Sequence, residues 1–297
     1  MPDAPSTPHL ARLIDGKALA EAERARLTAR VATLRSRSVT VRLDAILTTG
    51  GDNASRVYAD NQAKTAAALG IEYHLHELPA RATFHDLAGR VLILNNEPHV
   101  HAIMVHLPLP DGVEHYDIQR LIAPAKDVEG VNPANIGNII YGQSSLAPCT
   151  ALAVLRMVEH TGASLRGKRA VVVGASDHVG KPIAVLLMRQ DATVISCNKW
   201  TPALKELMYG ADVLVAAAGV PDLITPDCVK PGAIVIDVGV NRVTGPDGKT
   251  RTVGDVAFEQ VRNRLGPEGF ISPVPGGVGP LTVMMLMNNV VEAAERN

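Results

Sequence analysis

A short apolar run at 170–173 leads into Gly174-Ala175-Ser176-Asp177-His178-Val179-Gly180-Lys181-Pro182, and an apolar helical pattern follows to Met188. Strand, glycine turn and helix in that order make a phosphate-binding bend. Gly174 suits the tight turn, Gly180 lets helix and strand approach closely, and N–H groups at the helix start favour a pyrophosphate. Ser176 stands where the commoner pattern has its middle glycine. A bend with no ligand is the competing reading, but the flanking strand and helix favour a dinucleotide and hence hydride transfer. At the end of the next strand, NAD sites usually place Asp or Glu on the ribose 2′-hydroxyl. Asn198 and Lys199 stand there instead, and an ammonium suits a 2′-phosphate, which predicts NADP rather than NAD.

Other chemistry-bearing residues read as packing or surface. His74 with His76 and His99 with His101 alternate as strand neighbours do, yet no further ligands complete a metal site, so no metal is expected. Met284, Met285 and Met287 suit adaptable core packing. Cys149, Cys197 and Cys228 are odd in number and widely spaced, which predicts reduced thiols in the cytoplasm.

The elements that must position these residues alternate in type. After Asp15 and Gly16, Leu19, Ala22, Leu27, Val31 and Leu34 recur at helical spacing over 17–35. A strand is predicted at 41–48, a turn at Gly50, Gly51, Asp52 and Asn53, and a helix capped by Ser55 that Gly70 stops. Strand 71–78, helix 83–95 and strand 102–107 follow, the last closed by Pro108 and Pro110. Residues 124–148, rich in Pro, Asn and Gly, read as a long irregular stretch. Helix 150–160 precedes the strand at 170–173, whose wholly apolar sequence predicts burial of both faces. Helix 179–188, strand 193–197, helix 202–208 and strands 213–217 and 234–238 follow, and a Pro/Gly-rich connector at 273–280 precedes a last helix at 281–296. This βαβ alternation predicts an α/β protein with mostly parallel sheets covered by helices.

With 297 residues and about 100 to 200 per domain, two domains are expected. A composition 46% hydrophobic and 20% charged is globular, and a net charge of −1 offers no field for nucleic acid or an anionic membrane. No apolar run reaches the length of a membrane span, and residues 1–10 lack the basic start and apolar core of a secretory signal.

Several segments together resemble the methylenetetrahydrofolate dehydrogenase/cyclohydrolase family. They include Ile14-Asp15-Gly16-Lys17, Ala54-Ser55 with Tyr58, Leu107-Pro108-Leu109-Pro110, Lys126-Asp127-Val128 and Pro148-Cys149-Thr150. The glycine turn, Gly232 to Gly239, Val253-Gly254-Asp255-Val256 and Pro273-Val274-Pro275-Gly276-Gly277-Val278-Gly279-Pro280 complete the set, in the family's order across almost the whole chain. The resemblance implies a folate-binding domain at 1–149, completed by a C-terminal helix at 280–297, and a doubly wound Rossmann NADP-binding domain at 150–279. It also implies a homodimer and a cleft where pterin and nicotinamide meet. By position, Gly174, Ala175, Ser176, Val179, Gly180, Lys199 and Val240 would line the dinucleotide. Tyr58, Gln62, His106, Pro108, Glu129, Pro275, Gly276 and Gly277 would line the tetrahydrofolate side, with Tyr58, Gln62 and His106 at the reacting centre.

The chain departs from the family where proton chemistry is done. Gln62 stands in place of the catalytic lysine, His106 in place of a glutamine, Glu129 in place of an aspartate that holds the pterin, and Ala151 in place of a proline. Hydride transfer from the methylene carbon needs positioning and moves no proton, whereas hydrolysis of the methenyl cation needs a titratable group, which Gln62 lacks. Lys64, two residues along a helix, points to a different face. The expectation is an NADP-dependent methylenetetrahydrofolate dehydrogenase with weak or lost cyclohydrolase activity. Three alternatives stay open: a full bifunctional enzyme with His106 substituting, a methylene-tetrahydromethanopterin dehydrogenase, and a non-catalytic dinucleotide-binding sensor or scaffold.

Overall fold

The computed structural model describes residues 10–49, 53–143, 146–245 and 248–296. The expected turn residues Gly50, Gly51 and Asp52 lie outside them. The chain divides into two compact units, one of Met1–Ala20 with Thr150–Thr282 and one of Glu21–Cys149 with Val283–Asn297. In chain order the first elements are β1 (Arg12–Leu13), α1 (Gly16–Ser36), β2 (Arg42–Thr48), α2 (Asn53–Leu69), β3 (Glu72–Leu78), α3 (Phe84–Asn96), β4 (Ala102–Val105), α4 (His115–Gln119), α5 (Pro133–Tyr141) and α6 (Cys149–His160).

In the unit containing Glu21–Cys149, β2 lies between β3 and β4 in a three-stranded parallel sheet. Leu43 to Leu47 are buried, so the central strand is covered on both faces, and Ile46, Ile103 and Val105 pack against Leu87, Val91 and Leu94 of α3. Asp44 is the polar exception. It is fully buried, and its carboxylate takes Arg42 Nε at 2.7 Å and His76 Nε2 at 2.6 Å. Together those partners outweigh burial and hold the carboxyl below its usual range.

Helix α3 opens with a capping box between Thr83 and Asp86. Lys126 closes its far end, donating to the carbonyls of Leu94, Asn95 and Glu97 at 2.8 to 3.2 Å. Two sequence expectations are corrected here. Ser55 does not cap α2, which already starts at Asn53. Residues 124–148 are not wholly irregular, since α5 runs from Pro133 to Tyr141 within them. Asn132 Oδ1 accepts the Ala134 N–H, Pro133 occupies the first turn, and Gly142 ends the helix with φ of 73°. The Pro, Asn and Gly that suggested a loop are this short helix's start and stop residues.

The later elements are β5 (Arg169–Val173), α7 (Gly180–Met188), β6 (Thr193–Cys197), α8 (Leu204–Tyr209), β7 (Val213–Ala216), β8 (Ile234–Asp237), β9 (Asn241–Thr244), β10 (Thr250–Val253), α9 (Phe258–Leu265), β11 (Phe270–Ile271) and α10 (Val278–Arg296). In the unit containing Thr150–Thr282, a parallel six-stranded sheet has the order β1-β11-β8-β7-β5-β6. From β5 the chain winds first to β6 on one side and then to β7, β8 and β11 on the other. That reversal makes the sheet doubly wound, with its switch point between β5 and β7. Ala170 to Val173 are no more than 3% exposed, as an all-apolar strand covered on both faces must be. The hairpin β9–β10, helix α9 and the two short strands β1 and β11 have no counterpart among the expected elements. Two-residue strands carry too little periodicity to be seen in a sequence.

Candidate functional site

The glycine turn sits at the carboxyl end of β5, beside the switch point. Gly174 has φ of 111°, and a Cβ there would lie 2.0 Å from the Ala217 carbonyl oxygen; a Cβ on Gly180 would lie 1.8 Å from the Gly174 carbonyl oxygen. Both positions therefore exclude any side chain, for the two reasons their spacing suggests. Ser176 ties the bend together. Its carbonyl accepts the Lys181 N–H at 3.0 Å and its hydroxyl accepts the Gly180 N–H at 3.3 Å. Ala175 and Val179 are half-buried, and Ser176 is exposed. A diphosphate fits such a cradle, because backbone approaches it without Cβ atoms in the way and α7 begins there.

Lys199 is exposed just past β6, its ammonium 5.0 Å from the centroid of the 80% exposed Trp200 ring. Val240 is exposed just past β8. All seven residues expected along the dinucleotide thus lie in one unit, beyond the carboxyl ends of β5, β6 and β8.

A second cluster lies in the unit containing Glu21–Cys149. Tyr58 of α2, His106 and Pro108 beyond β4, and Glu129 line a cavity of about 860 Å³, joined by Leu107 and Val113. The Tyr58 and His106 rings meet edge to face, centroids 5.9 Å apart. His106 is 3% exposed, its Nε2 is 3.1 Å from the Tyr73 hydroxyl, and burial pushes its imidazole down to about 4. It is therefore neutral at pH 7 and a weak base. Tyr73 lies on β3, far away in sequence, and no local pattern marked it.

Gln62 follows Tyr58 by one helical turn on the same face. It is 1% exposed, and among the described residues neither its Oε1 nor its Nε2 makes a hydrogen bond of proper geometry. Burial raises the Tyr58 hydroxyl, an effect that the nearby Gln62 amide partly offsets. Lys64 is exposed on another face of α2. Burial, with the Asp127 charge second, raises the Glu129 carboxyl to about 7, and its Oε2 has no hydrogen-bond partner among the described residues. Asp127 itself is enclosed, accepting the Asn132 N–H at 2.7 Å and Asn135 Nδ2 at 2.9 Å.

Pro275, Gly276 and Gly277 fall in the unit that carries the glycine turn. Gly16 packs on them so closely that a Cβ there would lie 1.7 Å from the Gly277 carbonyl oxygen. Of the paired histidines, His76 Nε2 lies 2.6 Å from Asp44, His74 Nε2 lies 3.6 Å from Glu72, and His101 Nδ1 accepts the Arg42 N–H. Met284, Met285 and Met287 are buried.

A doubly wound sheet with a side-chain-free glycine turn at its switch point defines a protein of Rossmann, dinucleotide-binding build, and the same chain carries a cavity lined by titratable groups. Comparison with known proteins narrows this class. Residues 14–129 match the model of the tetrahydrofolate dehydrogenase/cyclohydrolase catalytic domain, and residues 148–297 match that of the same family's NAD(P)-binding domain. The bifunctional protein FolD of a Polaromonas species is 45% identical over 286 residues, 96% of this chain and 99% of that protein. The crystal structure of the Campylobacter jejuni bifunctional enzyme FolD, a methylenetetrahydrofolate dehydrogenase/cyclohydrolase, is 38% identical, with a TM-score of 0.90 over 96% of this chain and 99% of that one. The Trypanosoma brucei enzyme, solved with NADP cofactor and inhibitor, is also 38% identical, with a TM-score of 0.87 over 97% and 98%. The chain belongs to the tetrahydrofolate dehydrogenase/cyclohydrolase family, and it is an oxidoreductase.

Proposed function

We propose that this protein is an NADP-dependent methylenetetrahydrofolate dehydrogenase in which the second family reaction, hydrolysis of the methenyl product, is weak or lost. The observation that carries this reading is Gln62, buried and uncharged one turn from Tyr58, where the resemblance expects a lysine. The nearby imidazole does not replace it. His106 has its basicity depressed to about 4 and its Nε2 beside the Tyr73 hydroxyl, so at pH 7 it is a poor acceptor for the proton of an attacking water.

Dehydrogenation makes lighter demands. A bound nicotinamide would supply the hydride acceptor for the methylene carbon. The chain's part is to hold the reactants in place. On this reading the bend at Gly174–Gly180 takes the pyrophosphate, Lys199 takes the 2′-phosphate and Val240 faces the dinucleotide. Tyr58, Gln62, His106, Pro108 and Glu129 line the pterin side. A carboxyl at position 129 suits the donor edge of a pterin, and Glu presents the same group as Asp with one methylene more reach.

Folate chemistry on 1–149 with 280–297, dinucleotide binding on 150–279, a homodimeric assembly and a cytoplasmic setting complete the proposal. The resemblance supports the dimer, and three unpaired cysteines support the reducing compartment.

Two assays test it. NADPH formation from methylenetetrahydrofolate, repeated with NAD and with methylenetetrahydromethanopterin, is expected with NADP and the folate; saturable dinucleotide binding without turnover on either carrier would point to a sensor instead. Decay of the methenyltetrahydrofolate chromophore is expected to match buffer alone, and fast decay would reject the loss of hydrolysis. Gln62→Lys is expected to speed that decay by on the order of a hundredfold, the usual worth of a placed acid–base group.

A further inference from the structure

Two aspartates that the proposed reaction does not use sit buried where β7 and β8 end, both in the unit with the glycine turn. Asp255 is 0% exposed and Asp237 3%. Oδ2 of Asp255 accepts the N–H groups of Ala218 at 2.7 Å and Gly219 at 2.9 Å, just past β7, while Oδ1 accepts Asn241 Nδ2 at 2.9 Å, just past β8. Asp237 supports Asp255 from behind. Its Oδ1 accepts the N–H of Gly239 at 2.9 Å and of Asp255 at 3.0 Å, and its Oδ2 accepts that of Val256 at 3.0 Å.

Glycines seal the pair: a Cβ on Gly239 would lie 2.1 Å from Asp255 Oδ1, and one on Gly254 would lie 1.8 Å from Asp237 Oδ2. Neither carboxylate joins an ion pair among the described residues. Burying two carboxylates without cations is costly, and only directed N–H donors offset it. Such an arrangement fixes backbone geometry.

The backbone it fixes is part of the dinucleotide edge. The absent Cβ of Gly174 would strike the Ala217 carbonyl and come within 3.0 Å of the Ala218 nitrogen, so the phosphate bend leans on the peptides that Asp255 holds. Val240 lies in the loop held through Asn241. In a doubly wound sheet the two halves of a dinucleotide lie on opposite sides of the switch point. Lys199 marks the adenosine side past β6, which leaves the ends of β7 and β8 to the nicotinamide.

We propose that Asp255 is a positioning residue for the dinucleotide: its carboxylate joins the loops after β7 and β8 into one wall that supports the phosphate bend and faces the nicotinamide half. The inference rests on the dinucleotide reading of that bend.

The test is NADPH titration followed by nucleotide fluorescence, without folate, on folded wild-type protein and variants checked by circular dichroism. Asp255→Asn, which turns an acceptor atom into an amine facing other donors, is expected to weaken NADPH binding by on the order of tenfold or more. In turnover, KM for NADP is expected to rise with that loss while KM for the folate stays unchanged. Asn241→Ala, which leaves the bonds to Ala218 and Gly219 intact, is expected to weaken binding by about threefold. Folded Asp255→Asn with affinity within twofold of wild type would overturn the proposal. Should that variant not fold, Asn241→Ala decides, unchanged affinity overturning it. Wild-type protein that binds no NADPH would sink the dinucleotide reading itself, a result distinct from any ratio between variant and wild type.

Discussion

A carboxyl raised to about 7 changes charge across the physiological range, so Glu129 should leave a mark on stability. The folded state holds this proton up to about pH 7, whereas an ordinary glutamate releases it near 4.5. Between those values the folded state binds more protons than the unfolded one, so stability falls as pH rises through the window and levels off above it. The full effect is about 3 kcal/mol for one group. The change in urea midpoint between pH 5 and pH 8 is expected to differ between wild type and Glu129→Gln by this contribution, while Asp237, raised by burial to about 6, and His106, lowered to about 4, act alike in both proteins. Equal slopes in both proteins would show that Glu129 ionises normally. Gln62 and His106 were legible in the sequence as departures from a family pattern, but the ionisation of His106 was not. His106 loses basicity through burial, and its Tyr73 neighbour lies 33 residues away.

At the scale of elements, the strand–turn–helix from β5 to α7 was legible because each step has a local steric cause. Strand burial shows as an unbroken apolar run, and the turn shows as glycines where a Cβ collides with a carbonyl. Gly180→Ala, whose added carbon would sit 1.8 Å from the Gly174 oxygen, is expected to destabilise the unit by about 1 to 3 kcal/mol and to abolish saturable NADPH binding. Urea unfolding and the fluorescence titration check the two effects separately. Helix α5 was illegible because its cap residues, Asn132, Pro133 and Gly142, are also the residues of loops. The Asp255 clamp was illegible for another reason: its partners at 218, 219 and 241 are brought to it only by sheet order.

Over the whole molecule, the chain returns at its end to a unit begun far earlier. Asn289 of α10, 1% exposed, donates its Nδ2 to the carbonyls of Val128 at 2.8 Å and Ala147 at 2.9 Å. Asn289→Ala would leave both acceptors short of a donor in a buried setting, although Cys149 Sγ still reaches Val128 at 3.3 Å. The expected loss is about 2 kcal/mol, read as a lower urea midpoint with an unchanged slope. No helix among the described residues is long and apolar enough to cross a membrane. The sequence by itself determined the α/β alternation, the glycine turn between β5 and α7 and the family, because periodicity, glycine sterics and ordered motifs are local and survive being read in one dimension. Tertiary structure alone decided which carboxyls hold protons, why a histidine is neutral, and which aspartate braces the loops. Those properties depend on burial and on neighbours through space, and folding sets both.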